Sequence, residues 1–174
     1  MSSRKLPALL AAGLLILGVL ASSARAQLAR GDAFPDLAAA QLEGALPVTQ
    51  GRVVLVDFWA SWCAPCKASF PALGQVHRDY DARGVTIVAV SEDDKAKDYA
   101  AFLKKYAPPF ATVRDAAHKL AGAVKVPAMP TTLVLGRDGR VRAVFTGYHG
   151  EETEKSLRAA LDAALAEPSA NPSR

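Results

Sequence analysis

Only two cysteines occur in the 174 residues, and they stand three apart as Cys63-Ala64-Pro65-Cys66. Directly before them runs Val53-Val54-Leu55-Val56-Asp57-Phe58-Trp59, a stretch of mostly strand-forming residues without apolar–polar alternation. A strand of that composition is covered on both faces. Pro65 suits the first turn of a helix, where its missing N–H costs nothing. The cysteines therefore fall where a buried strand gives way to a helix N-terminus. A bridge between such close neighbours closes too small a loop to stabilise a chain much through entropy. The spacing favours chemistry over stapling.

That chemistry is thiol–disulfide exchange. The thiolate is the attacking species, and unpaired N–H groups at a helix N-terminus stabilise it. A second thiol one turn further on can resolve the mixed disulfide that results. On this reading Cys63 attacks and Cys66 releases. Zinc is the rival for a C-x-x-C, but it needs two further ligands. His77, His118 and His149 stand isolated along the chain, away from any ligand spacing.

The N-terminus has the order of a secretory signal. Arg4 and Lys5 form a basic start, an apolar run follows, and Ala24-Arg25-Ala26 fits an A-x-A cleavage site. A retained anchor is the alternative, because 6–24 is a run of 19 residues without a charge. Either way residues 27–174 are exported, to the bacterial periplasm in the reading adopted here. Removing 1–26 takes away three bases and no acid, so the formal charge falls from +4 to +1. The basic balance thus belongs to the leader, and no nucleic-acid partner is inferred from it. What remains is one ordinary domain, large enough to bury a core without staples. Export also permits a disulfide.

Residues 27–51 read as an extension punctuated by glycine and proline, with room only for short strand-like pieces. Helix is expected over 64–83, with Phe70, Leu73, Val76, His77 and Tyr80 on one face and a kink or reset start at Pro71. A second buried strand follows over 85–90. Ser91-Glu92-Asp93-Asp94 reads as the cap of a helix over 95–106, rather than as a metal site. A short strand over 110–113 and a short helix over 116–124 come next. Strands Thr131–Leu135 and 141–145 flank Arg137-Asp138-Gly139-Arg140, an Asp-Gly hairpin signal. Glu151–Ala166 reads as an amphipathic helix with acids in its first turn, and 167–174 as a disordered tail. The resulting order is that of an α/β domain with a mixed sheet.

Val-Asp-Phe-Trp-Ala-Ser-Trp-Cys-Ala-Pro-Cys-Lys over 56–67 resembles the active-site segment of thioredoxins. Met129-Pro130-Thr131-Thr132 resembles the segment that carries the family's cis-proline, ahead of its antiparallel hairpin. The leader, the Gly31 to Pro35 stretch and the Ala-Pro dipeptide point to the exported TlpA/ResA-like branch. The resemblance covers most of 31–166 and implies a thioredoxin fold. It makes Cys63 an exposed nucleophile and Cys66 a more buried resolving thiol. Pro130 is then the cis-proline opposite them, and Met129 before it contacts substrate. Trp62 is either part of the docking surface or an ordinary half-buried aromatic.

Asp57 is costly in an apolar strand unless it is paired or protonated. It matches the buried aspartate of thioredoxins, which exchanges a proton with the resolving cysteine. Burial raises such a carboxyl toward the working pH, as a relay requires. A simple hydrogen-bonded buried acid is the alternative. ResA-like proteins commonly carry an acid three residues past the second cysteine, where this chain has Ser69. Lys67 either adds positive potential near the thiols or is a solvated helix residue. His149 reads as a loop residue.

The function expected is that of an exported thiol-disulfide oxidoreductase that reduces disulfides in partner proteins and needs no cofactor beyond its own dithiol. The resemblance suggests apocytochrome c or copper-site cysteines as clients, and a membrane thiol reductase as electron donor. A disulfide-donating oxidase stays open, because C-x-x-C proteins span from about −270 to about −120 mV, roughly 7 kcal/mol for two electrons. A peroxidase would need proline at position 56 and threonine at 60, where the chain has Val56 and Ala60. A Cu(I)-binding module is the non-enzymatic alternative, since two thiolates suit that ion.

Overall fold

The computed structural model describes residues 27–168, so the leader and most of the tail lie outside the described residues. Five strands form one mixed sheet in the order β3-β2-β1-β4-β5. They are β1 (Val53–Trp59), β2 (Val85–Ser91), β3 (Ala111–Arg114), β4 (Thr131–Leu135) and β5 (Val141–Thr146). β1, β2 and β3 run parallel, while β4 pairs antiparallel with both β1 and β5. Helices α1 (Ala64–Tyr80), α2 (Ala96–Tyr106), α3 (Lys119–Val124) and α4 (Glu151–Ala166) complete the fold. This is the thioredoxin-like architecture expected from the sequence.

Every residue of β1 is buried, as the missing alternation required. Its odd-numbered apolar positions, Val53, Leu55 and Trp59, join a core built with Phe70, Leu73 and Val76 of α1, Phe102 of α2 and Leu157 and Leu161 of α4. Val54, Val56 and Phe58 face the other way, onto Leu120 and Val124 of α3. Period-two geometry therefore directs Asp57 toward the α1–α4 side. Trp59 is wholly buried there, with ring centroids 4.8 Å from Phe70 and 4.4 Å from Phe102.

Several boundaries differ from the expectation for identifiable reasons. α1 passes through Pro71 without restarting and hands over at Asp81 to a short 3-10 turn that Gly84 ends. α3 begins only at Lys119, because the Asp115 carboxylate accepts the N–H groups of Lys119, Leu120 and Ala121 and fixes the start there. The run 91–94 is not a helix cap. α2 starts at Ala96 behind Lys95, which makes no side-chain cap. Asp93 instead accepts from the Ser61 N–H at 3.0 Å, the Ser61 hydroxyl at 2.8 Å and the Ser91 hydroxyl at 2.8 Å. It ties the loop after β2 to the turn that precedes Cys63.

The extension over 27–51 lies along the sheet edges. Ala33 bridges Arg140 at the hairpin, and Glu43 bridges Arg114 at the end of β3. The hairpin turns at Gly139, whose φ of 73° is the left-handed geometry an Asp-Gly turn requires. Glu167, expected to open the tail, is bound by Arg142 at 2.7 Å. No helix among the described residues is long and apolar enough to cross a membrane.

Candidate active site

Cys63 is the N-cap of α1, with extended backbone, and Pro65 occupies the first turn behind it. The two cysteines form a disulfide with an S–S distance of 2.02 Å. The Cys63 sulfur also accepts the Cys66 N–H at 3.2 Å. A sulfur so placed gains a donor and the positive end of the helix, which is what lowers a thiol pKa once the bond is reduced. Cys66 is fully buried and Cys63 only 5% exposed. The expected exposure of the nucleophile is therefore slight in the disulfide form, although the order of accessibility is as expected. Packing explains this, since both cysteines belong to the Trp59–Phe70 core and Met129 packs against it.

Trp62 stands out from that packed floor at 65% exposure. Its indole forms a ridge between two open clefts. One, of about 430 Å³, is lined by Lys67, Phe102, Lys105 and Tyr106. The other, of about 340 Å³, runs between Met129 and the trio Glu92, Asp94 and His118. The Met129–Pro130 bond is cis and leads into β4, the strand beside β1. Lys67, half-buried on α1, lines the first of these open clefts.

Asp57 is fully buried. Across the β1–β4 pair, Thr132 donates its hydroxyl hydrogen to Asp57 Oδ1 at 2.7 Å. Oδ2 is buried without a hydrogen-bond partner. Burial drives this carboxyl from an ordinary 3.8 up to about 7, against the opposing pull of the Thr132 bond. Ser69, one turn past Cys66, spends its hydroxyl on the Cys66 carbonyl at 2.9 Å.

Sequence reasoning missed the second titrating group. His118 is isolated along the chain, yet its Nδ1 lies 2.7 Å from Glu92 Oε2 and its Nε2 lies 3.1 Å from Asp94 Oδ1. Burial drives the Glu92 carboxyl up to about 7, with His118 pulling it back. The bonds to Glu92 and Asp94 raise His118 in turn. Because the imidazole lies between the two carboxylates, the three groups do not converge on a point. Among the described residues no group of three or more such side chains is arranged to hold a metal ion. Contacts spanning 24 and 26 residues leave no local signature, so only the fold could reveal them. Thr132 was legible in principle, as a hydroxyl on the strand next to the acid.

Comparison with known proteins agrees with this geometry. The Redoxin family model matches residues 29–161. The thiol-disulfide oxidoreductase ResA of Geobacillus thermodenitrificans is 29% identical over 128 residues, covering 72% of this chain and 74% of that protein. ResA of Bacillus subtilis is 34% identical over 98 residues, 56% of this chain and 55% of its own. A crystal structure from Chlorobium tepidum, assigned to the thiol:disulfide interchange proteins of the DsbE type, superposes with a TM-score of 0.74 at 34% identity, covering 80% of this chain and all of that one. A C-x-x-C disulfide capping α1 beside a cis-proline, on a sheet of this order, places the chain in the Redoxin family of the thioredoxin superfamily.

Proposed function

We propose that this thiol-disulfide oxidoreductase works outside the cytoplasm as a reductase of partner-protein disulfides. The observation that carries the reading is the Cys63 sulfur at the α1 N-terminus, accepting the Cys66 N–H, with Asp57 buried beside the same core. In the reduced protein the Cys63 thiolate attacks one sulfur of the client disulfide. That S–S bond breaks, and the leaving sulfur departs as a thiolate that takes a proton from water. Cys66 then gives its proton to the Asp57 carboxylate and attacks the Cys63 sulfur. The second client thiolate leaves, and two electrons have passed from the dithiol to the client. Cys63–Cys66 remains as the disulfide, to be recharged by a membrane thiol reductase.

Trp62 and the Met129–Pro130 segment form the surface against which the client chain lies. Residues 1–26 direct export to the bacterial periplasm and are removed there. The clients fitting this branch are apocytochrome c haem-binding cysteines or copper-site cysteines. The test is a trap. Cys66→Ser in the exported protein should accumulate a mixed disulfide on Cys63, and mass spectrometry of the captured chains names the client. Absence of any trapped chain, together with failure of the parent protein to reduce insulin, would overturn the reading.

A further inference from the structure

A fully buried carboxyl that is protonated at rest must lose that proton to solvent before it can take one from Cys66. Behind Thr132, between α1, β4 and α4, lies a cavity of about 20 Å³. Its polar lining is Ser69, Thr132, Tyr148, Thr153 and Glu154. We propose that this cavity is the proton exit of Asp57, running from the Thr132 hydroxyl through one water to the Tyr148–Glu154 pair at the surface. The proposal rests on the reading of Asp57 as the proton partner of Cys66.

The volume suits a single water, which needs about 10–15 Å³ and two to four polar partners. Those partners are present. Thr132 donates to Asp57 and Ser69 donates to the Cys66 carbonyl, so both hydroxyl oxygens keep lone pairs to accept with. Tyr148 donates to Glu154 Oε1 at 2.6 Å, and its oxygen likewise remains an acceptor. Exposure grows along the series, since Thr132 and Ser69 are buried while Tyr148 and Glu154 are half-buried. The route therefore begins at the acid and ends at water.

The transfer balances without any electron moving. With Asp57 protonated on Oδ1, the Thr132 oxygen accepts that proton and releases its own hydroxyl hydrogen to the cavity water. The water gives a proton to the Tyr148 oxygen, and Tyr148 gives its phenolic hydrogen to the Glu154 carboxylate, which discharges to bulk. Every intermediate group ends with the hydrogens it began with. Tyr148 acts as a relay rather than a sink, because burial and the Glu154 bond push its phenol up to about 12. The titratable and charged groups along the route are few among the described residues. Asp57 is shifted by burial and Thr132 alone, and strand alternation turns it toward the core that holds the Cys63–Cys66 disulfide. Glu154 alone bears on Tyr148.

The two oxygens of Asp57 then divide the work. Oδ1 first sends its own proton outward through Thr132, and Oδ2, without a partner, then receives the Cys66 proton on the carboxylate so formed. Thr132, Tyr148 and Glu154 are positioning residues for proton traffic, remote from the sulfur atoms.

The experiment follows oxidation of the reduced full-length protein by a cystine-containing peptide in a stopped-flow instrument, in H₂O and D₂O, across the neutral pH range. Tyr148→Phe and Glu154→Gln should slow the reaction about tenfold at neutral pH and enlarge the solvent isotope effect. Their equilibrium potentials against glutathione should match the parent, because the route alters a rate and not an end state. Thr132→Val should behave alike in rate, and Thr132→Ser should restore it. Parent-like rates and isotope effects in Tyr148→Phe and Glu154→Gln, with Asp57→Asn slow, would overturn the exit while leaving the role of Asp57 standing. If Asp57→Asn is also as fast as the parent, the underlying reading fails and the exit with it.

Discussion

His118 Nδ1 lies 2.7 Å from Glu92 Oε2, and this contact holds one wall of the cleft beside Trp62 and Met129. Glu92 is only 7% exposed, and its other oxygen is buried without a partner. His118 also carries a φ of 53°, left-handed backbone that a non-glycine residue adopts at a cost. The imidazole is thus kept in a strained position by the two carboxylates it serves.

His118→Ala should therefore lose about 2 kcal/mol, since the buried Glu92 carboxyl loses its hydrogen-bond partner while the strained backbone stays. His118→Gly should lose about 1 kcal/mol less than alanine, because glycine adopts positive φ freely. Urea unfolding at slightly acidic pH, where the imidazole is protonated, measures both. Equal losses in the two variants would show that strain at this position is negligible.

Asp57 predicts the pH dependence of the oxidised protein. Its native carboxyl binds a proton more tightly than the unfolded chain does, having risen from 3.8 to about 7. Its contribution to stability is thus whole below the ordinary value and is lost as pH rises through the native one. The loss amounts to about 4 kcal/mol when complete. Asp57→Asn removes it, so above neutrality the variant should be more stable than the parent by roughly 2–4 kcal/mol. Urea titrations from about pH 4 to about pH 8 check this, and a variant that keeps the parental pH slope would remove Asp57 as its source.

Trp62 should matter to partners and not to sulfur chemistry. Trp62→Ala is expected to raise KM for a folded protein client about tenfold. Its rate with dithiothreitol should stay within about twofold of the parent. Equal losses toward both reductant and client would place the indole in the exchange step itself.

Arg114 is the buried fastener behind the same cleft. Its guanidinium, 9% exposed, binds Glu43 Oε2 at 2.7 Å and the carbonyls of Asp93 and Asp94 at 3.1 Å. Arg114→Ala should cost about 3 kcal/mol, since Glu43 and two carbonyls lose their donor together. Arg114→Lys should not rescue it, because an ammonium lacks the planar fork that spans three acceptors. Thermal unfolding of the two variants decides, with full rescue by lysine counting against the fork.

Much of this was readable in the chain because it depends on local rules. The run Val53–Trp59 announced a covered central strand, Pro65 an entry to helix, and Asp138-Gly139 a hairpin. The charged loops were misread because their partners are remote. Glu92, Asp93 and Asp94 have the composition of a helix cap, and a cap is the cheapest local use of such residues. The fold offers them Ser61, His118 and Arg114 instead, across 20 or more residues. The start of α3 moved for a local reason instead, since the Asp115 carboxylate collects the N–H groups of Lys119, Leu120 and Ala121. The slight exposure of Cys63 is a packing result, set by the aromatic core of Trp59, Phe70 and Phe102, which no periodicity encodes.

β4 completes the environment of Asp57, yet it is made some seventy residues later in the chain. A ribosome releases Val53–Trp59 and both cysteines well before Thr131–Leu135. Until β4 docks, the Asp57 carboxyl is hydrated, titrates as an ordinary acid and has no Thr132 beside it. The partly made chain thus carries two cysteines but no tuned pair. On the proposed role of Asp57, full reactivity arrives only with the last strands, so an unfinished or misfolded copy is a poor catalyst of the exchange.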